Sequence, residues 1–179
     1  IKEFLELAVR SKRNILVVGE TGSGKTTIAK SLILQIPEYE RLITIEAVHE
    51  LFMLLHLNRV HLFFAQDNEA GAKVTAKQAL EACLRMYPGR VLFGELRDGE
   101  AAWEFLKLAN TNHPGSITTM HANGAYEAFE QLTALIKDSR AGAYLEARYI
   151  KHRVLTTIDV VLFYNKRKLR EIYYDPEYK

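Results

Sequence analysis

At 179 residues, 48% hydrophobic and 26% charged, the chain has the size and composition of one soluble globular domain with room for a real core. A net charge of +2 is too small to mark a nucleic-acid binder, and the single cysteine, Cys83, excludes an internal disulfide, which suits a reducing intracellular compartment. No apolar stretch approaches the length of a bilayer span, and the N-terminus lacks a signal-peptide core.

The chain opens at Ile1 rather than Met, which predicts a piece of a longer protein. Phe4, Leu5, Ala8 and Val9 recur at helical spacing and predict an amphipathic helix from 2 to about 11. Ile15-Leu16-Val17-Val18 reads as a buried strand, and the residues from Ile28 onward read as a helix ended by Ile36-Pro37. Between them, Gly19-Glu20-Thr21-Gly22-Ser23-Gly24-Lys25-Thr26-Thr27 meets the P-loop pattern G-x-x-x-x-G-K-[ST] in its proper strand-to-helix setting. There, backbone N–H groups from Glu20 to Thr27 and the helix N-terminus converge on a polyphosphate. Lys25 supplies a point charge for the β- and γ-phosphates, and the Thr26 hydroxyl is placed to ligate Mg²⁺.

Arg41 to Glu46 predicts a second buried strand that delivers a carboxylate at its C-terminal end, and Val60 to Phe64 a third strand. Residues 66–73 are polar, small and aperiodic, which predicts a mobile surface loop. Thr75 is placed as the N-cap of a helix reaching about Met86 and stopped by Pro88-Gly89. Val91 to Phe93 forms a short apolar strand, followed by a helix from Glu100 to Asn110. Ser116 to Met120 is the next strand, and helices are expected over 124–138 and 143–153. Ile158 to Tyr164 and Leu169 to Tyr174 read as a terminal hairpin around the basic run Lys166-Arg167-Lys168, taken as a solvated turn. Strands alternating with helices imply an α/β fold with a mostly parallel sheet, where ligands gather beyond the C-terminal strand ends.

Several acids and histidines follow those strand ends. Glu95 ends an apolar strand, the Walker B arrangement in which a carboxylate organises Mg²⁺ or polarises the attacking water; the bland reading is a polar strand exit. Glu46 and Glu50 offer two more carboxylates, although paired glutamates away from a P-loop are usually solvated. His121 either meets a γ-phosphate or the attacking water, or is an ordinary surface or core histidine. His113 lies across a predicted strand from it, tens of ångströms away at about 3.3 Å per residue, so the two are no chelating pair.

Four motifs in this order resemble the secretion NTPase superfamily, most closely the traffic ATPases of bacterial type IV secretion systems. They are Gly19 to Thr27 as Walker A, Leu42 to Glu46 and onward as the acidic "Asp box", Leu84-Arg85-Met86 with Val91 to Arg97 as an atypical Walker B, and His113 to Asn123 as the "His box". The resemblance covers nearly the whole chain. It implies that residues 1–179 form a RecA-like ATPase domain, with the His-box strand between the P-loop and Walker B strands and His121 near the γ-phosphate. It also implies ATP and Mg²⁺ as cofactors, an additional N-terminal domain, and a homohexameric ring. The ring is expected in the cytoplasm, peripheral to the inner membrane, working with other secretion components to power export or pilus assembly.

Departures from the family pattern are Glu46-Ala47 where Glu-Asp is usual, Tyr87 and Gly89 where Arg and Asp are usual, and Asn112 in place of Gly. On the sequence alone, two other functions stand beside the motor: a nucleotide-gated assembly module with little turnover, and a nucleic-acid translocase.

Overall fold

The computed structural model describes residues 1–52, 55–65, 74–110 and 113–177; the loop expected at 66–73 and Asn112 lie outside the described residues. Among the described residues seven strands make one sheet. They are β1 (Ile15–Gly19), β2 (Leu42–Glu46), β3 (Arg59–Phe63), β4 (Arg90–Phe93), β5 (Ile117–Met120), β6 (Val160–Asn165) and β7 (Lys168–Tyr174), in the order β3-β2-β4-β5-β1-β6-β7. All neighbours run parallel except β6 and β7, which form the expected C-terminal hairpin. The His-box strand β5 lies between β1 and β4, as the resemblance implied.

Helices α1 (Lys2–Arg10) and α2 (Lys25–Ile33) cover one face; α3 (Ala76–Cys83), α4 (Gly99–Asn110), α5 (Glu127–Lys137) and α7 (Ala147–Thr157) cover the other. The strand period of two sorts β1 cleanly. Ile15 and Val17 pack with Leu5, Val9, Leu32 and Ile33, while Leu16 and Val18 join Phe105, Phe129, Leu132 and Ile150. Being buried on both faces, β1 reads as an unbroken apolar run rather than an alternation. Cys83 belongs to this core, and burial pushes its thiol up to about 12, which leaves it a packing residue.

Local chemistry sets the helix boundaries. Thr75 and Gln78 form a reciprocal capping box at α3, with Oγ1 accepting from Gln78 N at 3.2 Å and Gln78 Oε1 accepting from Thr75 N at 2.9 Å. The helix then tightens into a 3₁₀ turn, Leu84–Met86, before Tyr87 at φ 53°. Two expected helices shift. The one foreseen over 124–138 begins at Glu127, and the one foreseen over 143–153 begins later, as α7, with the short α6 (Arg140–Ala143) before it. Ser139 starts α6 by accepting from Gly142 N at 3.1 Å, a cap that apolar periodicity does not reveal.

Two buried polar groups pin the end of the sheet remote from the P-loop. Asn14 Oδ1 accepts from Gly115 N and Ser116 N, both at 3.0 Å, and its Nδ2 donates to Thr157 O at 2.9 Å and Ala109 O at 3.4 Å. Its own N–H donates to Asp159 Oδ2 at 2.7 Å. One amide thus ties the starts of β1 and β5 to the ends of α4 and α7. The fully buried Arg90, at the start of β4, makes a bidentate pair with Glu40 at 2.8 and 2.7 Å and donates to Val9 O at 2.6 Å.

Candidate functional site

Because β1, β2, β4, β5 and β6 are parallel, their C-terminal ends deliver their loops to one edge of the sheet, where a cleft of about 980 Å³ opens. The P-loop forms its floor. Gly22 at φ 74° and Gly24 at φ 99° sit in the left-handed region, and Gly24 is the N-cap of α2, which therefore starts three residues earlier than foreseen. Gly19 is required for space: a Cβ there would lie 2.1 Å from Tyr164 O on β6. No side chain among the described residues caps α2, and its first turn carries no acid, so its leading N–H groups and dipole face the cleft.

Lys25 lines the cleft and is mostly buried, its Nζ donating to Gly19 O at 2.9 Å and Glu20 O at 3.0 Å. Burial holds its ammonium below the usual lysine range; the Glu95 carboxylate opposes that depression and Arg97 adds to it. Thr21, Gly22, Ser23, Gly24, Thr26 and Thr27 also line the cleft. Glu20 is exposed, and its side chain is not part of the lining; it contributes the carbonyl that holds Lys25.

Across the cleft, Glu95 follows β4 and His121 follows β5. His121 Nε2 lies 3.1 Å from Glu95 Oε1, while Arg97 Nε donates to Glu95 Oε2 at 2.6 Å. Neighbouring parallel strands bring Glu95 and His121 together, although twenty-six positions separate them in sequence. His113 lies at the opposite end of β5, with Nδ1 3.2 Å from Pro88 O.

Glu46 departs from the picture of a solvated acid. It is 2% exposed, and its Oε1 accepts from Glu50 N at 2.9 Å and Leu51 N at 2.8 Å, so it shapes the loop after β2. Oε2 has no hydrogen-bond partner among the described residues. Glu50 is exposed and lines the cleft.

The basic turn after β6 is closer to this cleft than the sequence suggested. Lys166 at φ 50° and Arg167 at φ 60° make a tight two-residue hairpin turn, and Arg167 and Tyr164 line the cleft; the Arg167 Cα would lie 4.0 Å from a Cβ on Gly24. Only the sheet order, with β6 beside β1, could have disclosed this.

A P-loop at the end of a parallel sheet, with an inserted strand between it and the Walker B strand, defines a P-loop NTPase of RecA-like architecture. The model of the family described as "Type II/IV secretion system protein" matches residues 1–162, and the chain belongs to that family. It is 46% identical over 177 residues to the "Type IV secretion system protein VirB11" of Bartonella henselae, covering 97% of this chain and 49% of that protein. It is 43% identical over 185 residues to the protein of the same name in Brucella suis.

The crystal structure of the VirB11 ATPase from the Brucella suis type IV secretion system in complex with sulphate superposes with a TM-score of 0.91 at 42% identity. That match covers 99% of this chain and 52% of that one. The pilus retraction motor PilT with bound ADP, 24% identical with a TM-score of 0.73 and covering 96% of this chain and 49% of that one, shares the fold. The chain spans about half the length of the curated relatives it matches. Among the described residues, no helix is long and apolar enough to cross a membrane.

Proposed function

We propose that this chain is the ATP-binding and ATP-hydrolysing core of a type IV secretion ATPase. The observation that carries the reading is the convergence of Lys25, Glu95 and His121 on one cleft, with Glu95 and His121 in contact at 3.1 Å. The P-loop amides and Lys25 hold the phosphates, and Lys25 exchanges its carbonyl partners for phosphate oxygens. Glu95 orients or deprotonates the attacking water, and His121 reports the γ-phosphate to it. Glu46 positions the adjoining loop, whose Glu50 faces the same space. Thr26 and Glu95 are hard oxygen donors of the kind Mg²⁺ takes beside phosphate oxygens and water. The ion, when bound there, neutralises charge on the β- and γ-oxygens.

The VirB11 relatives support a place in a type IV secretion system. The family resemblance supports a homohexameric ring peripheral to the cytoplasmic face of the inner membrane, with arginine fingers drawn from another domain or a neighbouring copy. In the intact protein, Glu95→Gln is expected to lower turnover by about 10²–10⁴-fold while sparing nucleotide affinity. Undiminished turnover would remove Glu95 from the chemical step.

A second reading is a nucleotide-gated assembly module. It is favoured by the engagement of both Glu95 oxygens, one by Arg97 and one by His121, and by Ala47 in the acidic box. Turnover measured across protein concentrations separates the two. Cooperative activity that rises with assembly supports the motor, and flat, negligible activity supports the gate.

A further inference from the structure

We propose that Glu46, His49 and His61 form a binding site for a divalent transition ion of the zinc class, on the β2–β3 edge of the sheet beside the nucleotide cleft. One ligand atom from each residue lies within 4.8 Å of the other two. The parallel pairing sets Thr44 opposite His61 and Glu46 opposite Phe63, so Thr44, Glu46 and His61 share one face of the sheet. The loop after β2 returns His49 over that face, its ring centroid 4.6 Å from that of His61.

Glu46 supplies the observation that asks for a ligand. Its Oε1 is taken by two backbone N–H groups, yet Oε2 is unpartnered in a side chain that is 2% exposed. Burying a carboxylate oxygen without a donor is unfavourable, because the water it gives up is not replaced; a cation is a partner that removes this cost.

The rest of the site suits a metal. The Thr44 hydroxyl lies 2.8 Å from His61 Nδ1 and fixes the ring, the kind of contact that orients a ligating histidine. The rings of Phe52 and Phe63 flank His49, with centroids 4.3 and 5.3 Å from its own.

Two imidazoles and one carboxylate select zinc, nickel, copper or cobalt over Mg²⁺, which prefers oxygen alone. Ligand bonds of about 2.0–2.1 Å in a tetrahedral site place the donor atoms about 3.3 Å apart. Closure therefore needs a movement of about an ångström or more, available to His49 because it is exposed on a loop. Three protein ligands leave the fourth position to water.

The test is titration of the intact, chelator-treated protein with zinc alone, followed by cobalt to read coordination from its visible spectrum. Nucleotide is left out, so the outcome is independent of the ATPase reading. The expected result is one zinc per chain, undisturbed by excess Mg²⁺, with a tetrahedral cobalt spectrum and affinity reduced at least about tenfold in both H49A and H61A. His49 is exposed, so H49A retains the wild-type melting curve and the loss reports on ligation. Zinc affinity in H49A and H61A equal to wild type, or displacement of zinc by Mg²⁺, would overturn the site.

Discussion

Replacing Glu40 with alanine removes the partner of an arginine that has no access to water. Arg90 is 0% exposed, and among the described residues two of its three side-chain hydrogen bonds go to the Glu40 carboxylate; the one from Nη1 to Val9 O would remain. Removing one member of a buried pair costs about 3–5 kcal/mol, because the remaining charge is left uncompensated. Against a total stability of about 5–15 kcal/mol, that is a large fraction. At about 2–4 °C per kcal/mol for a chain of this size, the melting temperature falls by about 6–20 °C.

The acid limb carries the same signature. The hydrogen bonds from Arg90 hold Glu40 below the usual carboxylate range; burial opposes this, and the charges of Arg90 and Lys12 reinforce it. The folded value is thus depressed, so the stabilisation is complete above the unfolded value of about 4.3 and disappears as the pH falls through the lower folded value. Wild type and Glu40→Ala should therefore converge in stability at low pH. The assay is circular-dichroism melting from pH 7 downward. A Glu40→Ala melt within 2 °C of wild type at pH 7 would refute the argument, since it would mean that Arg90 finds compensation elsewhere.

Two further substitutions test the P-loop. Gly19→Ala sets a Cβ against Tyr164 O at 2.1 Å, contact with backbone that no rotamer relieves; it should cost at least about 1–3 kcal/mol in a denaturant titration, and an unchanged midpoint would contradict so close a β1–β6 approach. On the proposed reading Lys25→Ala removes charge-assisted hydrogen bonds to phosphate, each worth about 1.5–3 kcal/mol, so titration with a fluorescent nucleotide should give an affinity at least about tenfold weaker. Equal affinity would mean that the loop amides alone hold the ligand.

The sequence carried the strand-to-helix setting of the P-loop, the apolar run of β4 before Glu95 and the placement of β5, because each is encoded within a few neighbouring residues or within a motif. It was silent wherever a residue's task depends on a distant partner. Asn14 is an ordinary loop asparagine until residues about a hundred positions away supply its partners. Arg90 stands in the sequence as a charged residue outside the expected strand, since Glu40, fifty positions earlier, is what makes it a core residue. Arg167 reads as part of a solvated turn until the sheet order sets β6 against β1. His49 and His61 have no metal-ligand spacing along the chain; the parallel register of β2 and β3 and the loop after β2 bring them together across the sheet.

The Asn14 amide has a consequence for how the protein tolerates change. By holding Gly115 N and Ser116 N with the same oxygen, it sets the zero mark from which β1 and β5 are both measured. From that mark the paired registers run Ile15 with Ile117 through Val18 with Met120, and the chains then leave the sheet as the P-loop and as His121. One residue inserted in either run would carry its exit about 3.3 Å along the sheet relative to the other and turn its side chains to the opposite face. The spans 14–19 and 115–121 are therefore matched rulers whose lengths cannot be edited separately. Variation in chain length among related proteins should be confined to the loops beyond them.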